Sequence, residues 1–378
     1  MVIKSDTPLT GRLMGQMAVC LLAFVLSAQA SALAAEAKIL NVYNWSDYIA
    51  DDTIRNFEKE TGIKVRYDNF DSNEVLHAKL VAGKSGYDVV VPGAAWGKIQ
   101  AENGLLRMLD KSRLPNLKHL DPLMQSQLAT LDPNNAHLVT WLYGYTTVGI
   151  NVDKVKAALG SMPMPENAFD LVFDPKYMAK LKSCGVSFLD SPSEIFPTAL
   201  HYLGKPVDTS STADINAVGE MLQKVRPFVT LFSSSGYIND LTNGAICVTL
   251  GYSGDINIAA QRAREAKNGQ KIVALIPKNG SILFLDTMAI PADAAHPDNA
   301  HLFINYVLRP EVQASLSNKV SYANPNLASM KFVKKEIAEN KTIFLSDADK
   351  AKMRIAAPVS NDIRRLMSRL YTRFKTGI

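Results

Sequence analysis

Residues Lys38–Pro92 read KILNVYNWSDYIADDTIRNFEKETGIKVRYDNFDSNEVLHAKLVAGKSGYDVVVP, and their punctuation decides the fold. Lys38–Tyr43 is a strand-like run. Asp51–Thr61 sets Ile54, Phe57 and Thr61 at helical spacing and closes on Gly62. Lys64–Phe70 forms a second strand, Ser72 opens a helix that runs to Ala82 and closes on Gly83, and Tyr87–Val91 is a third strand stopped by Pro92. The order βαβαβ predicts an α/β fold with a parallel sheet and right-handed crossovers.

The theme returns downstream. Val186–Leu189 and Ile246–Leu250 read as buried strands, Asp214–Val225 as a helix, and Ile272–Ile276 and Ile282–Ile290 as further strands. Asn299–Leu308 and Pro310–Ser317 are helical. A last helix near Asn361–Phe374 gathers Ile363, Leu366, Met367, Leu370 and Phe374 on one face and Arg364, Arg365, Arg369, Arg373 and Lys375 on the other, which reads as a solvated face. Thr140–Asn151 and Lys271–Pro277 are expected to cross between two α/β lobes, leaving a cleft.

The 378 residues allow two to three domains, and 47% hydrophobic with 20% charged residues is an ordinary globular mixture. The net charge of +5 is too weak an excess for a nucleic-acid binder. Residues 1–35 read as a cleavable secretory signal: Lys4 and Arg12 precede the apolar run Met14–Leu26, and Ala28-Gln29-Ala30 and Ala32-Leu33-Ala34 offer small-residue cleavage sites. Cys20 in that run lacks a lipobox. Removing residues 1–34 leaves a charge of +4 and two cysteines, Cys184 and Cys247. In an exported protein these either pair or lie separately buried, and pairing is the natural reading.

Several chemistries find no support. Gly83-Lys84-Ser85 lacks the leading glycine of a P-loop, since Ala78 stands there, and no GxGxxG follows a strand. Gly251-Tyr252-Ser253-Gly254 is one residue short of a nucleophile elbow. The six histidines show no metal-ligand spacing, so neither a metal nor a cofactor is expected and the chain is not read as an enzyme.

The informative residues stand in loops after strands, where parallel α/β sheets bind ligands. Trp45-Ser46-Asp47-Tyr48 follows the first strand and Pro92-Gly93-Ala94-Ala95-Trp96 the third; the second half offers Asp190-Ser191-Pro192-Ser193-Glu194 and Gly251-Tyr252-Ser253-Gly254-Asp255. Aromatics beside carboxylates suit a small organic cation. Carboxylates replace the water an ammonium loses, and a ring face adds about 0.5–2 kcal/mol. Asp286 interrupts an otherwise apolar run, Ile282–Ile290, where a carboxylate is costly unless paired or facing a polar cavity. Each candidate has a plainer alternative. Asp286 could bond nearby backbone, Asp47, Glu194 and Asp255 could favour a helix dipole, Ser46 could be an N-cap, and Trp45 and Tyr322 could be core rings.

Val42-Tyr43-Asn44-Trp45-Ser46-Asp47-Tyr48-Ile49, Phe57-Glu58-Lys59-Glu60-Thr61-Gly62-Ile63-Lys64-Val65, Asp71-Ser72-Asn73-Glu74-Val75-Leu76, Lys182–Asp190, Tyr237–Leu241 and Arg262–Gly269 together resemble the periplasmic polyamine-binding proteins of ABC transporters, the putrescine-binding members most of all. The resemblance covers essentially the whole chain after residue 35. It implies the two-lobed periplasmic binding protein fold of type II, each lobe a mostly parallel sheet flanked by helices with the cleft between. Lobe 1 would comprise residues 36–142 and about 272–325, and lobe 2 residues 143–271. The C-terminal helices, about 326–378, would pack mainly on lobe 2.

The resemblance also assigns an aromatic box to Trp45, Tyr48, Phe284 and Tyr322. It implies amine-holding carboxylates at Asp255 and Asp286, further partners at Asp47 and Glu194, a polar contact at Ser46, and a Cys184–Cys247 disulfide. Three positions depart from the family pattern: Gly93 replaces a serine, Tyr252 replaces a tryptophan, and Thr140–Gly149 reads TWLYGYTTVG where the family has Pro-Tyr-x-Trp-Gly/Ala-Thr-Thr-Gly. The implied role is capture of a polyamine, a diamine such as putrescine foremost, by a periplasmic monomer that hands it to an inner-membrane permease. The alternatives are an ω-amino acid ligand such as 4-aminobutyrate or 5-aminovalerate, and a receptor that binds in order to signal.

Overall fold

The computed structural model describes residues 1–2 and 36–377, so residues 3–35 of the expected signal, Cys20 included, lie outside the described residues. Residues Lys38–Ile378 form one compact unit. Strand β1 (Ile39–Trp45) is the centre of the first sheet, with β2 (Lys64–Phe70) and β3 (Val89–Val90) parallel on either side, as the βαβαβ pattern predicts. The helix Asp51–Thr61 ends on Gly62, whose φ of 71° is the left-handed conformation that glycine adopts without cost. Ser72 caps Asn73–Val81 by accepting the Val75 N–H. The third strand is shorter than its sequence pattern, two residues in place of Tyr87–Val91. Pro92, which has no N–H, ends the ladder, although Asp88 and Val91 still donate to Asn41 and Tyr43 of β1.

The long strand β4 (Val139–Asn151) has all thirteen residues buried. Its first half pairs antiparallel with β9 (Leu283–Met288), which isolated bridges at Val90–Ala289 and Gly93–Asp286 tie to the first sheet. Its second half pairs antiparallel with β7 (Val248–Tyr252) and β8 (Ile272–Ala274). Strands β5 (Val186–Phe188) and β6 (Leu231–Phe232) complete that sheet in the order β6-β5-β7-β4-β8. With β9 on β4 this sheet has six strands, and it meets the first sheet through the isolated bridges of the β9 run. Cys184 and Cys247, one just before β5 and the other just before β7, are joined by a disulfide.

The C-terminal segment divides. Val333, Ile337, Ile343, Leu345 and Met353 join the core that holds Tyr43, Phe70 and Leu76. The helix Asn361–Thr376 buries Ile363, Met367, Tyr371 and Phe374 and packs on Thr212–Val225 and Pro192–Tyr202. Its charged face is not wholly solvated: Lys375 pairs with Asp190 at 2.6 Å, and the Arg364 guanidinium lies 5.5 Å from the Trp96 ring centroid. No helix among the described residues is long and apolar enough to cross a membrane.

Candidate functional site

A cavity of about 130 Å³ opens between elements of the two sheets, and every ligand-site candidate except Asp47 lines it. From the first sheet's side, the loop after β1 supplies Trp45, Ser46 and Tyr48. Phe284 and Asp286 stand on β9, and Tyr322 follows the helix Pro310–Val320. From the other side come Glu194, in the first turn of Pro192–Tyr202, Tyr252 at the end of β7, and Asp255 in the first turn of Ser253–Glu265.

The rings form a continuous wall. Trp45 meets Tyr252 at 6.4 Å, Tyr252 meets Phe284 at 5.4 Å, Phe284 meets Tyr322 at 6.2 Å, and Tyr322 meets Tyr48 edge-on at 4.7 Å. The Trp45 indole is held from behind by its Nε1–H, which donates to Val91 O at 2.9 Å.

The carboxylates are poised by neutral donors. Tyr48 donates to Asp286 Oδ2 at 2.9 Å. Asp255 receives two hydroxyls, Tyr322 on Oδ1 at 2.6 Å and Tyr237 on Oδ2 at 2.8 Å. The elbow-like Gly251-Tyr252-Ser253-Gly254 explains these contacts. A Cβ at Gly254 would lie 2.2 Å from the Tyr322 ring, and one at Gly251 would lie 2.8 Å from the Tyr237 ring. The glycines admit the two rings that hold Asp255, while Ser253 Oγ accepts the Tyr145 N–H.

Asp255 and Asp286 are only 7% and 6% exposed. Burial pushes the Asp286 carboxyl up to about 7; the Tyr48 hydroxyl pulls it down and Asp255 pushes it further up. Burial likewise raises Asp255 to about 7 against the lowering effect of its two tyrosine hydroxyls. Glu194 is raised to about 8 by burial, then by Glu74 and Asp286, while Thr146 opposes. Three acids that share one cavity with no ion-pair partner among the described residues cannot all ionise cheaply.

Two of the three departures from the family pattern, Gly93 and Tyr252, line the cavity. Gly93 donates its N–H to Asn73 Oδ1 at 2.9 Å, and a Cβ at Gly93 would press on that amide at 3.2 Å. The Tyr252 hydroxyl is buried with no partner among the described residues, which leaves it able to accept from a guest.

Asp47 is not brought to the cavity. Its φ of 53° belongs to a tight turn, and its Oδ1 pairs with Arg262 Nη2 at 2.6 Å. This links the loop after β1 to the helix Ser253–Glu265, across the two sides of the cavity. Glu74 makes a second link, accepting from Ser191 and Ser193 at the start of Pro192–Tyr202 at 3.4 Å. Asp47→Asn is expected to weaken binding at the cavity by no more than about 1 kcal/mol, because the pair is partly exposed, and the loss should fade at high salt. Titration at two ionic strengths checks this; a large, salt-independent loss would place Asp47 at the ligand.

The residues read from the sequence omit Phe70, Asn73, Tyr237, Glu74 and the segment Ile355–Val359. Phe70 and Asn73 line the cavity, and Ser72 capping foreshadows the place of Asn73 in a helix's first turn. Nothing near Tyr237 signals its bond to Asp255. Among the described residues, no group of three or more His, Cys, Asp or Glu is placed to hold a metal.

Two sheets bridged through the β9 run, with a cavity walled from both sides, fit a solute-binding protein. The chain belongs to the bacterial extracellular solute-binding protein family, whose model matches residues 52–344. It is 47% identical to the putrescine-binding periplasmic protein PotF of Escherichia coli strain K12, over 93% of this chain and 95% of that one. It is also 47% identical to the putrescine-binding periplasmic protein SpuD of Pseudomonas aeruginosa strain UCBPP-PA14, over 94% of this chain and 98% of that one. The solved spermidine/putrescine ABC transporter substrate-binding protein PotD of Streptococcus pneumoniae superposes with a TM-score of 0.71, covering 90% of this chain and 99% of that one. At 23% identity, that likeness speaks for the fold.

Proposed function

We propose that this chain is the periplasmic binding component of an ABC transporter for a diamine, with putrescine the foremost candidate. The observation that carries the reading is the trio Asp255, Asp286 and Glu194, half-hidden or buried, raised in pKa and enclosed by Trp45, Tyr48, Tyr252, Phe284 and Tyr322. An ammonium relieves the trio by supplying the missing positive charge, and the rings take the methylenes between two ammoniums. Each methylene laid on them adds about 0.8 kcal/mol.

One ammonium sits between Asp255 and Asp286, and the other beside Glu194. Residues 1–35 serve as the export signal, and the mature monomer works in the periplasm. Because the walls come from both sides, ligand contacts are complete only when the lobes meet, so binding favours the closed form that the permease reads. The Asp47–Arg262 and Glu74–Ser193 links add to closure. The putrescine-binding relatives support the choice of amine.

Calorimetric titration with putrescine, cadaverine, spermidine and agmatine tests the reading. Saturable one-to-one binding of a diamine is expected. Heat from none of the four would overturn it.

A further inference from the structure

The cavity does not end at Glu194. Glu194, Pro197 and Leu200 recur every three residues along one face of Pro192–Tyr202, and all three line it. Beyond Glu194 the same cavity is walled by Trp96, Ile99, Leu200, Ile215, Val359 and Met367. Leu200, Ile215 and Met367 are 1%, 0% and 5% exposed, while Trp96, Ile99 and Val359 are half-buried, so this arm runs from the interior towards the surface.

Its charge differs from that of the amine end. Among the described residues, the only basic side chain lining the cavity is Arg364, beside Trp96, and burial lowers its pKa. An ammonium in the arm would leave water, meet apolar walls and face a guanidinium. An uncharged apolar group would gain about 0.8 kcal/mol, roughly fourfold in affinity, for each methylene buried.

We propose that the arm takes an apolar substituent on the ligand nitrogen seated beside Glu194, so that the site accepts N-alkylated diamines and holds them more tightly than the bare diamine. This inference rests on the diamine reading above. It is a statement about ligand class: two ammoniums a diamine's length apart, then a hydrocarbon tail, with no third charge.

Titration of the intact protein with putrescine, N-ethylputrescine, N-hexylputrescine and spermidine tests it. Affinity is expected to rise along the alkyl series, with N-hexylputrescine at least about tenfold tighter than putrescine and tighter than spermidine, whose third ammonium would occupy the arm. Val359→Phe, which narrows the arm from a half-buried position, is expected to bring the ratio of N-hexylputrescine to putrescine affinity down towards one. An N-hexyl derivative no tighter than putrescine, or a ratio that Val359→Phe leaves unmoved, overturns the arm while the diamine site stands. Heat from none of the four, putrescine included, overturns both.

Discussion

Asp286→Asn is expected to lower diamine affinity by about 2–5 kcal/mol, a loss of roughly thirtyfold to several thousandfold. The size follows from place. Asp286 is 6% exposed, its carboxylate meets the Tyr48 hydroxyl at 2.9 Å, and the amide would keep that bond while losing the charge. A bound ammonium would then stay desolvated beside a neutral group. The same substitution should not lower the melting temperature of the empty protein at pH 8, because an ionised carboxylate pushed up to about 7 by burial is a cost to the empty fold. Titration and thermal melts read the two effects apart. Near-unchanged affinity together with lost stability would make Asp286 a structural residue.

Acidification from pH 8 to pH 5 is expected to move stability and affinity in opposite directions. Asp255 and Asp286 are raised from 3.8 to about 7 and Glu194 from 4.5 to about 8. Between those limits the folded empty protein holds protons that the unfolded chain has released. Raised acids contribute stability that is fully present below their unfolded pKa and lost as pH rises through the folded one, so the empty protein gains stability on acidification. Binding runs the other way. The diamine stays charged throughout and requires ionised carboxyls, so each coupled carboxyl costs up to about tenfold in affinity per pH unit below its folded pKa. Melts and titrations at pH 8, 7, 6 and 5 check both slopes; an affinity that does not change with pH would show that the acids do not meet the ligand.

Much of the site is legible in the sequence because its residues break local rules. Asp286 stands out since a carboxylate inside Ile282–Ile290 has no cheap place in a core. Trp45, Tyr48, Tyr252 and Asp255 are marked by their loops at strand ends, and the βαβαβ order with its two glycine stops gives the first sheet. What the sequence hides are pairings over distance. Asp47 looks equivalent to its neighbours until Arg262, 215 residues away, takes its carboxylate. Tyr237 carries no local sign of the bond it makes to Asp255. The basic face of the last helix reads as solvent-facing, yet Arg364 turns onto Trp96 and Lys375 onto Asp190, because the loops supplying those partners come from distant segments. The arm beyond Glu194 is equally invisible, since Ile99, Ile215 and Met367 are ordinary helix-face residues until the fold brings them together.

The central claim is that an ammonium ligand supplies the charge that Asp255, Asp286 and Glu194 lack. Calorimetry of putrescine binding at pH 6.5 in two buffers of different ionisation enthalpy counts the protons exchanged. Net proton release is expected, because carboxyls with pKa values of about 7 and 8 are largely protonated at that pH in the empty cavity and ionise when the ammoniums arrive. Binding with no proton exchanged, or with uptake, would contradict it.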